Sequence, residues 1–392
     1  MPSKPPITII GAGPAGLIAA EVLSQAGRRV AVYDRMPSVA RKFLMAGRGG
    51  LNLTHSEPFE RFLSRYNKRT SWLRPALEAF PPAALRAWAD GMGADTFVGS
   101  SGRVFPKAMK ASPLLRAWLQ RLERQGVTFQ LRHSWLGWQG KDLVFDNGNK
   151  ILVKPDTTIL ALGGASWPRL GSDGGWTAIL ADKGVDIAQL QPANVGFTAV
   201  WTRDFSSKFA GTPLKNIAVI FAGKTVPGEL MLTQAGLEGG AIYAVSAALR
   251  DTIARTGHAD LIIDLRPDLN PGQVISKLGR ASPKDSLSNR LRKSLNLTPA
   301  AIALIHETKS ADIKQVTMRL TAVQGLDRAI STAGGITQSA LTADFELKAL
   351  PGVYAVGEML DWEAPTGGYL LQACFSTAVW AAKAVLEKSS AD

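Results

Sequence analysis

The sequence has 392 residues, 46% of them hydrophobic and 20% charged, with 45 Lys/Arg against 32 Asp/Glu and a formal charge of +13. At roughly 100–200 residues per domain this length predicts two or three domains, and the apolar fraction excludes a chain disordered throughout. A single cysteine, Cys374, excludes an intrachain disulfide, a thiolate metal cluster and a C-x-x-C pair; the four histidines lack metal-ligand spacing, so no metal site is expected and redox chemistry requires an organic cofactor.

No apolar run reaches the roughly 18 residues of a membrane span. The opening M-P-S-K-P-P passes straight into a strand, leaving no room for a signal peptide, so a cytoplasmic protein is expected. Ile7–Ile10 reads as a β-branched strand, Gly11 to Gly16 as a turn, Leu17 to Ala26 as an Ala/Leu-rich helix stopped near Gly27, and Val30–Tyr33 as a second strand ending at Asp34. Together they make one βαβ unit. Arg41 to Thr54 is a Gly-rich loop, and Arg61 to Gly91 is helical with a break at Pro81-Pro82. Pro113 to Gln125 is an amphipathic helix with Ser112 as N-cap. Short strands follow at Val127–Leu131, Trp135–Trp138, Leu143–Phe145 and Ile151–Val153, with a hairpin signal at Asp146-Asn147-Gly148-Asn149, and then a buried strand at Thr158–Leu162.

The character changes after Gln191-Pro192. Short strands run to Phe221, a helix covers Ala241–Arg250, a strand Leu261–Leu265, and Asn270 to Leu320 is mostly helical and polar. Residues 191–330 are therefore expected to form an inserted substrate or cap region within a domain made of residues 1–190 and 331–392. That domain resumes with the strand Val353–Val356 and the helix Leu370–Leu386.

The strongest local motif is G-A-G-P-A-G at residues 11–16. Gly11 permits the tight strand-to-helix turn, Gly13 lets backbone approach a pyrophosphate, and Gly16 lets helix and strand pack closely. A phosphate would sit at the helix N-terminus near Pro14. Asp34, at the end of the next strand, would accept hydrogen bonds from a ribose and repel a 2′-phosphate. The motif follows a strand and opens a helix, which is the context a dinucleotide fingerprint requires.

FAD rather than NAD is indicated further along. Gly352–Glu358 is a strand ending in Gly357 and an acid, and it resembles the second fingerprint of flavoproteins with two dinucleotide-binding domains, in which the acid binds the ribityl chain. Thr366-Gly367-Gly368-Tyr369-Leu370-Leu371-Gln372 opens a helix whose N–H groups could face a flavin pyrimidine edge and stabilise negative charge on the reduced ring. Leu160-Ala161-Leu162-Gly163-Gly164 is a near match to the A-T-G-G signature of flavoproteins, with Leu162 where Thr is usual.

These motifs, with R-K-F-L-M-A-G-R-G-G-L-N-L-T-H at Arg41–His55, G-R-V-F-P-K at Gly102–Lys107, P-G-E-L-M-L-T at Pro227–Thr233, T-A-G-G-I at Thr332–Ile336 and G-E-M-L-D at Gly357–Asp361, resemble one bacterial family. It is the FAD-dependent oxidoreductase family that includes aminoacetone oxidase, a bile-acid-associated flavoprotein and a ribosomal RNA dihydrouridine synthase. The resemblance runs from Ile7 to the last helix. It implies an α/β fold: a split Rossmann-type FAD-binding domain with a β-barrel-like insert and a helical insert nested within that. It also implies cofactor contacts at Gly11, Ala12, Gly13, Pro14, Ala15 and Gly16, at Asp34, Arg35, Lys42 and Gly47, and at Asn52, Leu53 and Trp135. Towards the other end of the chain it implies Ala161, Gly163, Gly164, Gly357, Glu358, Gly367, Gly368, Tyr369 and Leu370. Where the family reads S-G-G-G-R-C-N-L-T-N, this chain places Gly50 for the arginine and Leu51 for the cysteine, so it is a side branch without that thiol, and no catalytic residue is assigned.

His55, Tyr66 and Tyr369 border the motifs, with surface or core roles as the simpler expectation, and Cys374 is expected to be a packing residue. Between residues 270 and 320 there are nine Lys/Arg and three Asp/Glu; between 99 and 132 there are seven against Glu123 alone. Such stretches are either solvated faces or a phosphate-binding surface for nucleic acid. With no second fingerprint for a nicotinamide, NADH or NADPH would visit the flavin only transiently. The readings left open are reduction of a uridine in structured RNA, turnover of a small amine or enone, and a non-catalytic RNA- or ribosome-binding flavoprotein.

Overall fold

The structure, a computed structural model, describes residues 5–46 and 49–391. The chain divides into two compact units. One runs to Gln191 and resumes at Thr332; the other is Pro192–Ser331.

The sheet of the first unit has five parallel strands in the order Val353–Ala355, Thr158–Leu160, Ile7–Ile10, Val30–Asp34, Thr128–Leu131. Ile9 stands beside Ile159 on one side and Val32 on the other, and all three are fully buried. Central strands this apolar must be covered on both faces. The strand order reverses at Ile7–Ile10: the chain continues to Val30 on one side and pairs with Thr158 on the other. That reversal opens a crevice beyond the carboxyl end of the strand.

The helix is Pro14–Gln25, its N-terminus at the Pro14 expected for a phosphate site although the Ala/Leu-rich run reads as helix only from Leu17, with Gly13 as an extended N-cap that no side chain caps. It stops where Gly27 (φ +76°) takes the left-handed conformation. It packs against the last helix, Tyr369–Ala391, which also covers Thr70–Ala79. The segment Tyr369–Ser389 is long and apolar enough by composition to cross a membrane. Ala373, Phe375, Ala378, Val379, Ala381 and Ala382 are nonetheless buried in the core. An antiparallel meander of Ser134–Gln139, Asp142–Asp146 and Lys150–Val153, and a small sheet of Thr54–His55, Arg103–Phe105 and Phe97–Val98, complete the unit.

The second unit is a closed barrel in the order Phe197–Ala199, Gly236–Glu238, Lys224–Leu232, Pro213–Phe221, Ala259–Asp264, Val316–Val323. Phe197, Val219, Leu230, Leu237, Ile263, Val316 and Leu320 form its core. The helices Pro271–Gly279, Leu287–Leu295 and Pro299–Glu307 lie in sequence between its last two strands.

Three expectations need correction. The Gly-rich stretch from Arg41 contains a helix, Arg41–Ala46, anchored by buried Phe43. The amphipathic helix is Ala111–Arg124 with Lys110 at its N-cap, so Ser112 lies inside it. The polar helical stretch ends before residue 320, because Val316–Val323 is a strand with Val316, Met318 and Leu320 inward and Thr317 and Arg319 outward.

Candidate functional site

The crevice at the end of Ile7–Ile10 holds a cavity of about 410 Å³ within the first unit. Its floor is the glycine turn, and the three glycines differ in what they face. Gly11 has φ +107°, and a Cβ there would stand 2.3 Å from the Ala161 carbonyl oxygen. A Cβ on Gly16 would stand 1.9 Å from the Gly11 oxygen. Both glycines are therefore demanded by protein packing. A Cβ on Gly13 would meet nothing within 4 Å: it opens into the cavity at the start of the helix, where an anion is favoured.

Asp34 closes the turn from the neighbouring strand. Its Oδ2 accepts from Ala12 N–H at 2.7 Å and its Oδ1 from Met36 N–H at 2.8 Å. Burial raises its carboxyl above the usual range, and these two N–H groups work against that rise. Arg35 points outward to Asp173, Nη1 to Oδ2 at 2.6 Å. Burial alone would raise the Asp173 carboxyl, but Arg35 and the Gly175 N–H outweigh it and hold it low.

The opposite wall carries Lys42, whose Nζ donates to Ser166 Oγ at 2.6 Å and pairs with Glu358 Oε2 at 2.7 Å. Glu358 Oε1 accepts from Thr332 N–H at 3.0 Å. Cys374, half-buried beside this pair, lines the same cavity, and burial followed by the Glu358 charge pushes its thiol up to about 12. A thiol so placed is protonated and unreactive at neutral pH.

The cavity thus brings together Gly11–Ala15, Asp34, Arg35, Lys42, Trp135, Ala161, Gly163 and Glu358. Gly16, Gly164, Gly357 and Gly368 do not line it. A Cβ on Gly164 would strike Thr332 Oγ1 at 2.4 Å, one on Gly357 the Ala15 Cβ at 2.9 Å, and one on Gly368 the Thr54 Cα at 2.5 Å, so these glycines serve close packing. Leu53 is buried in the core, and Asn52 lies beside it with its Oδ1 buried and without a hydrogen-bond partner. Gly367, Tyr369 and Leu370 lie outside the lining as well, and Gly47 lies outside the described residues.

Tyr369 donates to Glu57 Oε1 at 2.5 Å, and Tyr66 donates to the Tyr369 carbonyl at 2.8 Å. His55 stacks on the Tyr369 ring, its Nδ1 accepting from Glu57 N–H and its Nε2 facing the Ser101 carbonyl oxygen. The three residues form a polar cluster apart from the cavity. Leu51, where the family has cysteine, is fully buried.

Sequence reasoning missed His133, Ser134 and the loop residues Leu170–Asp173, all of which line the cavity. The glycines of Leu160–Gly164 mark where that loop begins, but no local signal shows where it goes.

An open glycine at a helix N-terminus, a carboxylate on the next strand and a cleft at the switch point of a parallel sheet fit a bound dinucleotide. The sequence profile described as "HI0933-like protein Rossmann domain" matches residues 5–384. The chain is 26% identical over 411 residues to a ribosomal RNA dihydrouridine synthase of Haemophilus influenzae, covering 94% of this chain and 96% of that one. It is likewise 26% identical to a 3-dehydro-bile acid delta(4,6)-reductase of Clostridium scindens, covering 97% and 99%. Among solved structures, 3-ketosteroid delta1-dehydrogenase from Sterolibacterium denitrificans superposes with a TM-score of 0.56 at 12% identity, covering 97% of this chain and 99% of that one, which places the chain in the same FAD-binding Rossmann fold.

Proposed function

From the premise that the chain belongs to the HI0933-like Rossmann-domain family, whose members are flavin-dependent oxidoreductases, we propose that it binds FAD without a covalent link and reduces uridine in structured RNA, with NADH or NADPH as transient donor. Such an enzyme would work in the cytoplasm. The observation that carries the cofactor reading is the open space at Gly13, set at the start of the helix Pro14–Gln25 with Asp34 beside it. When bound, FAD supplies hydride transfer through its N5. The chain's own groups bind and orient. The backbone from Ala12 to Ala15 receives the pyrophosphate, and Asp34 receives ribose hydroxyls and disfavours a 2′-phosphate. The Lys42–Glu358 pair presents a fixed dipole along the wall.

The names of the two relatives share a chemical demand: hydride added to a carbon–carbon double bond conjugated with a carbonyl. RNA is favoured over an enone or amine by the charge of +13 and by Lys277, Arg280 and Lys284, which are exposed and without an ion-pair partner among the described residues. The test is anaerobic titration with NADH and NADPH, followed by addition of defined ribosomal RNA fragments, test amines and enones. Reoxidation of the flavin by RNA, with two hydrogens gained by one uridine in the mass spectrum, is expected. Turnover of an amine or enone without turnover of any RNA would overturn the substrate. Leu51, buried where relatives carry a thiol, favours a second reading, an RNA-binding flavoprotein with negligible turnover; sustained turnover on a bound RNA excludes it.

A further inference from the structure

The loop that follows the strand Thr158–Leu160 does not stay on its own side of the cleft. It leaves Gly163, passes the 3-10 turn Pro168–Leu170 and reaches the end of Val30–Asp34. There Gly171 lies against Met36, a Cβ on the glycine coming within 2.9 Å of Met36 Cγ, and Asp173 takes the guanidinium of Arg35 at 2.6 Å. Trp176, just beyond, returns to the start of the loop by donating Nε1 to the Gly163 carbonyl at 2.9 Å. The strand Ile7–Ile10 lies between the two strands so joined. The loop therefore crosses the carboxyl end of the strand whose Gly11–Gly13 turn opens the cavity, and Leu170, Gly171, Ser172 and Asp173 all line it.

Ser172 is only 7% exposed, and its Oγ is buried without a hydrogen-bond partner. Trp135, 9% exposed on the same lining, has its Nε1 in the same condition. Arg35 Nε and Arg41 Nε, on the same lining, are likewise buried without a partner among the described residues. Buried polar groups are rarely left unbonded, and donors orphaned along one cavity lining point to an acceptor that enters the cavity.

We propose that Leu170–Asp173 is a strap over the bound dinucleotide, that Ser172 Oγ donates to a phosphate or ribose oxygen of it, and that the Arg35–Asp173 ion pair latches the strap. The proposal rests on the reading of the cleft as an FAD site. It separates two roles that a packing loop would merge. Ser172 Oγ has no hydrogen-bond partner among the described residues, so the hydroxyl contributes to cofactor affinity and not to the stability of the cofactor-free protein. The latch contributes to retention, and salt weakens it because both partners are partly exposed.

The experiment compares cofactor-free wild type, Ser172→Ala and Asp173→Asn by thermal melting, by FAD titration, and by the rate at which released flavin regains fluorescence at low and high salt. Ser172→Ala is expected to melt with the wild type when cofactor-free and to bind FAD about tenfold more weakly, the loss typical of a hydrogen bond to a charged acceptor. Asp173→Asn is expected to release FAD about two- to fivefold faster and to lack the acceleration by salt expected of the wild type. Wild-type uptake of FAD, with both variants binding and releasing it as the wild type does, would overturn the strap alone. A lower melting temperature of cofactor-free Ser172→Ala with unchanged affinity would also overturn it, by making Ser172 a packing residue. A wild type that takes up no FAD would sink the cofactor reading and the strap together.

Discussion

At the scale of single residues, the fingerprint glycines make opposed predictions although they look alike in sequence. Gly13→Val places its side chain in open space, so the cofactor-free protein should melt within a degree or two of wild type, while the side chain occupies the position expected for the pyrophosphate and flavin absorbance should be lost. Gly11→Ala forces a left-handed backbone on a residue with a Cβ and drives that Cβ to 2.3 Å from the Ala161 oxygen; a loss of about 2 kcal/mol or more of folding stability is expected from strain and overlap together, read by denaturant titration. Retention of flavin by Gly13→Val would remove the phosphate role from this turn. Asp34→Ala should both weaken FAD and loosen the turn, since it frees the Ala12 and Met36 N–H groups, and a rise in FAD dissociation constant with a lowered melting temperature is the expected pair of readings. These residues were legible because each answers a backbone demand that a short motif encodes. Ser172 and His133 were not, since a lining side chain supplied by a distant loop leaves no local pattern.

At the scale of elements, the polar cluster around Glu57 holds three pieces of structure together. The Glu57 side chain is 6% exposed and accepts from Arg65 Nε and Nη2, at 2.9 and 2.6 Å, and from the Tyr369 hydroxyl. It thereby ties the segment after Thr54–His55 and the helical turn Ser64–Arg69 to the start of Tyr369–Ala391. Burial alone would raise the Glu57 carboxyl, but the bonds from Arg65 and Tyr369 outweigh it and hold it below 4.5, its ordinary value. A depressed carboxylate contributes stability that is fully present above its unfolded pKa and is lost as pH falls through the folded one. Melting temperature should therefore fall as pH drops below about 4.5, and Glu57→Gln should flatten part of that acid limb while lowering stability at neutral pH. An acid limb of unchanged slope in the variant would show that other carboxylates dominate. The sequence identified His55 only as a neighbour of a glycine motif and expected Tyr369 at the cofactor, whereas Tyr369 donates to Glu57 outside the cavity lining; Glu57 and Arg65 enter through a tertiary contact that no local pattern shows. The helix Arg41–Ala46 was hidden for a different reason: it is a short element in a run dominated by the glycines that follow, held by one buried side chain, Phe43. The strand Val316–Val323 was legible in principle, since Val316, Met318 and Leu320 alternate with polar residues, but the helical stretch before it masked the change from period 3.6 to period 2.

At the scale of the whole molecule, the chain builds one unit from its two ends and the other from an uninterrupted middle. Pro192–Ser331 has its own closed barrel and core, with no open sheet edge in that barrel to satisfy from elsewhere. Excised, it should fold with a cooperative melt, whereas a chain lacking it should retain FAD only if the ends Gln191 and Thr332 are rejoined by a linker. The change of composition after Gln191-Pro192 was visible in sequence because a run of short strands differs from alternating strand and helix. The β-barrel-like insert was expected from the family resemblance and is there as a closed barrel, but the local pattern alone did not give closure, because pairing between strands far apart in sequence is a property of the fold. The basic excess belongs to this scale too, since screening makes it a property of a surface rather than of any one residue. If Lys277, Arg280 and Lys284 meet phosphates, log affinity for RNA should fall linearly with log salt concentration. Reversing all three to Glu should then flatten the slope by about 2, at roughly 0.7 for each phosphate of single-stranded RNA that is no longer neutralised. FAD binding at the proposed cleft, whose lining lies wholly within the first unit, should be unchanged in that variant. An unchanged salt slope would mean that the three cations are solvated face and that RNA, if it binds, does so elsewhere.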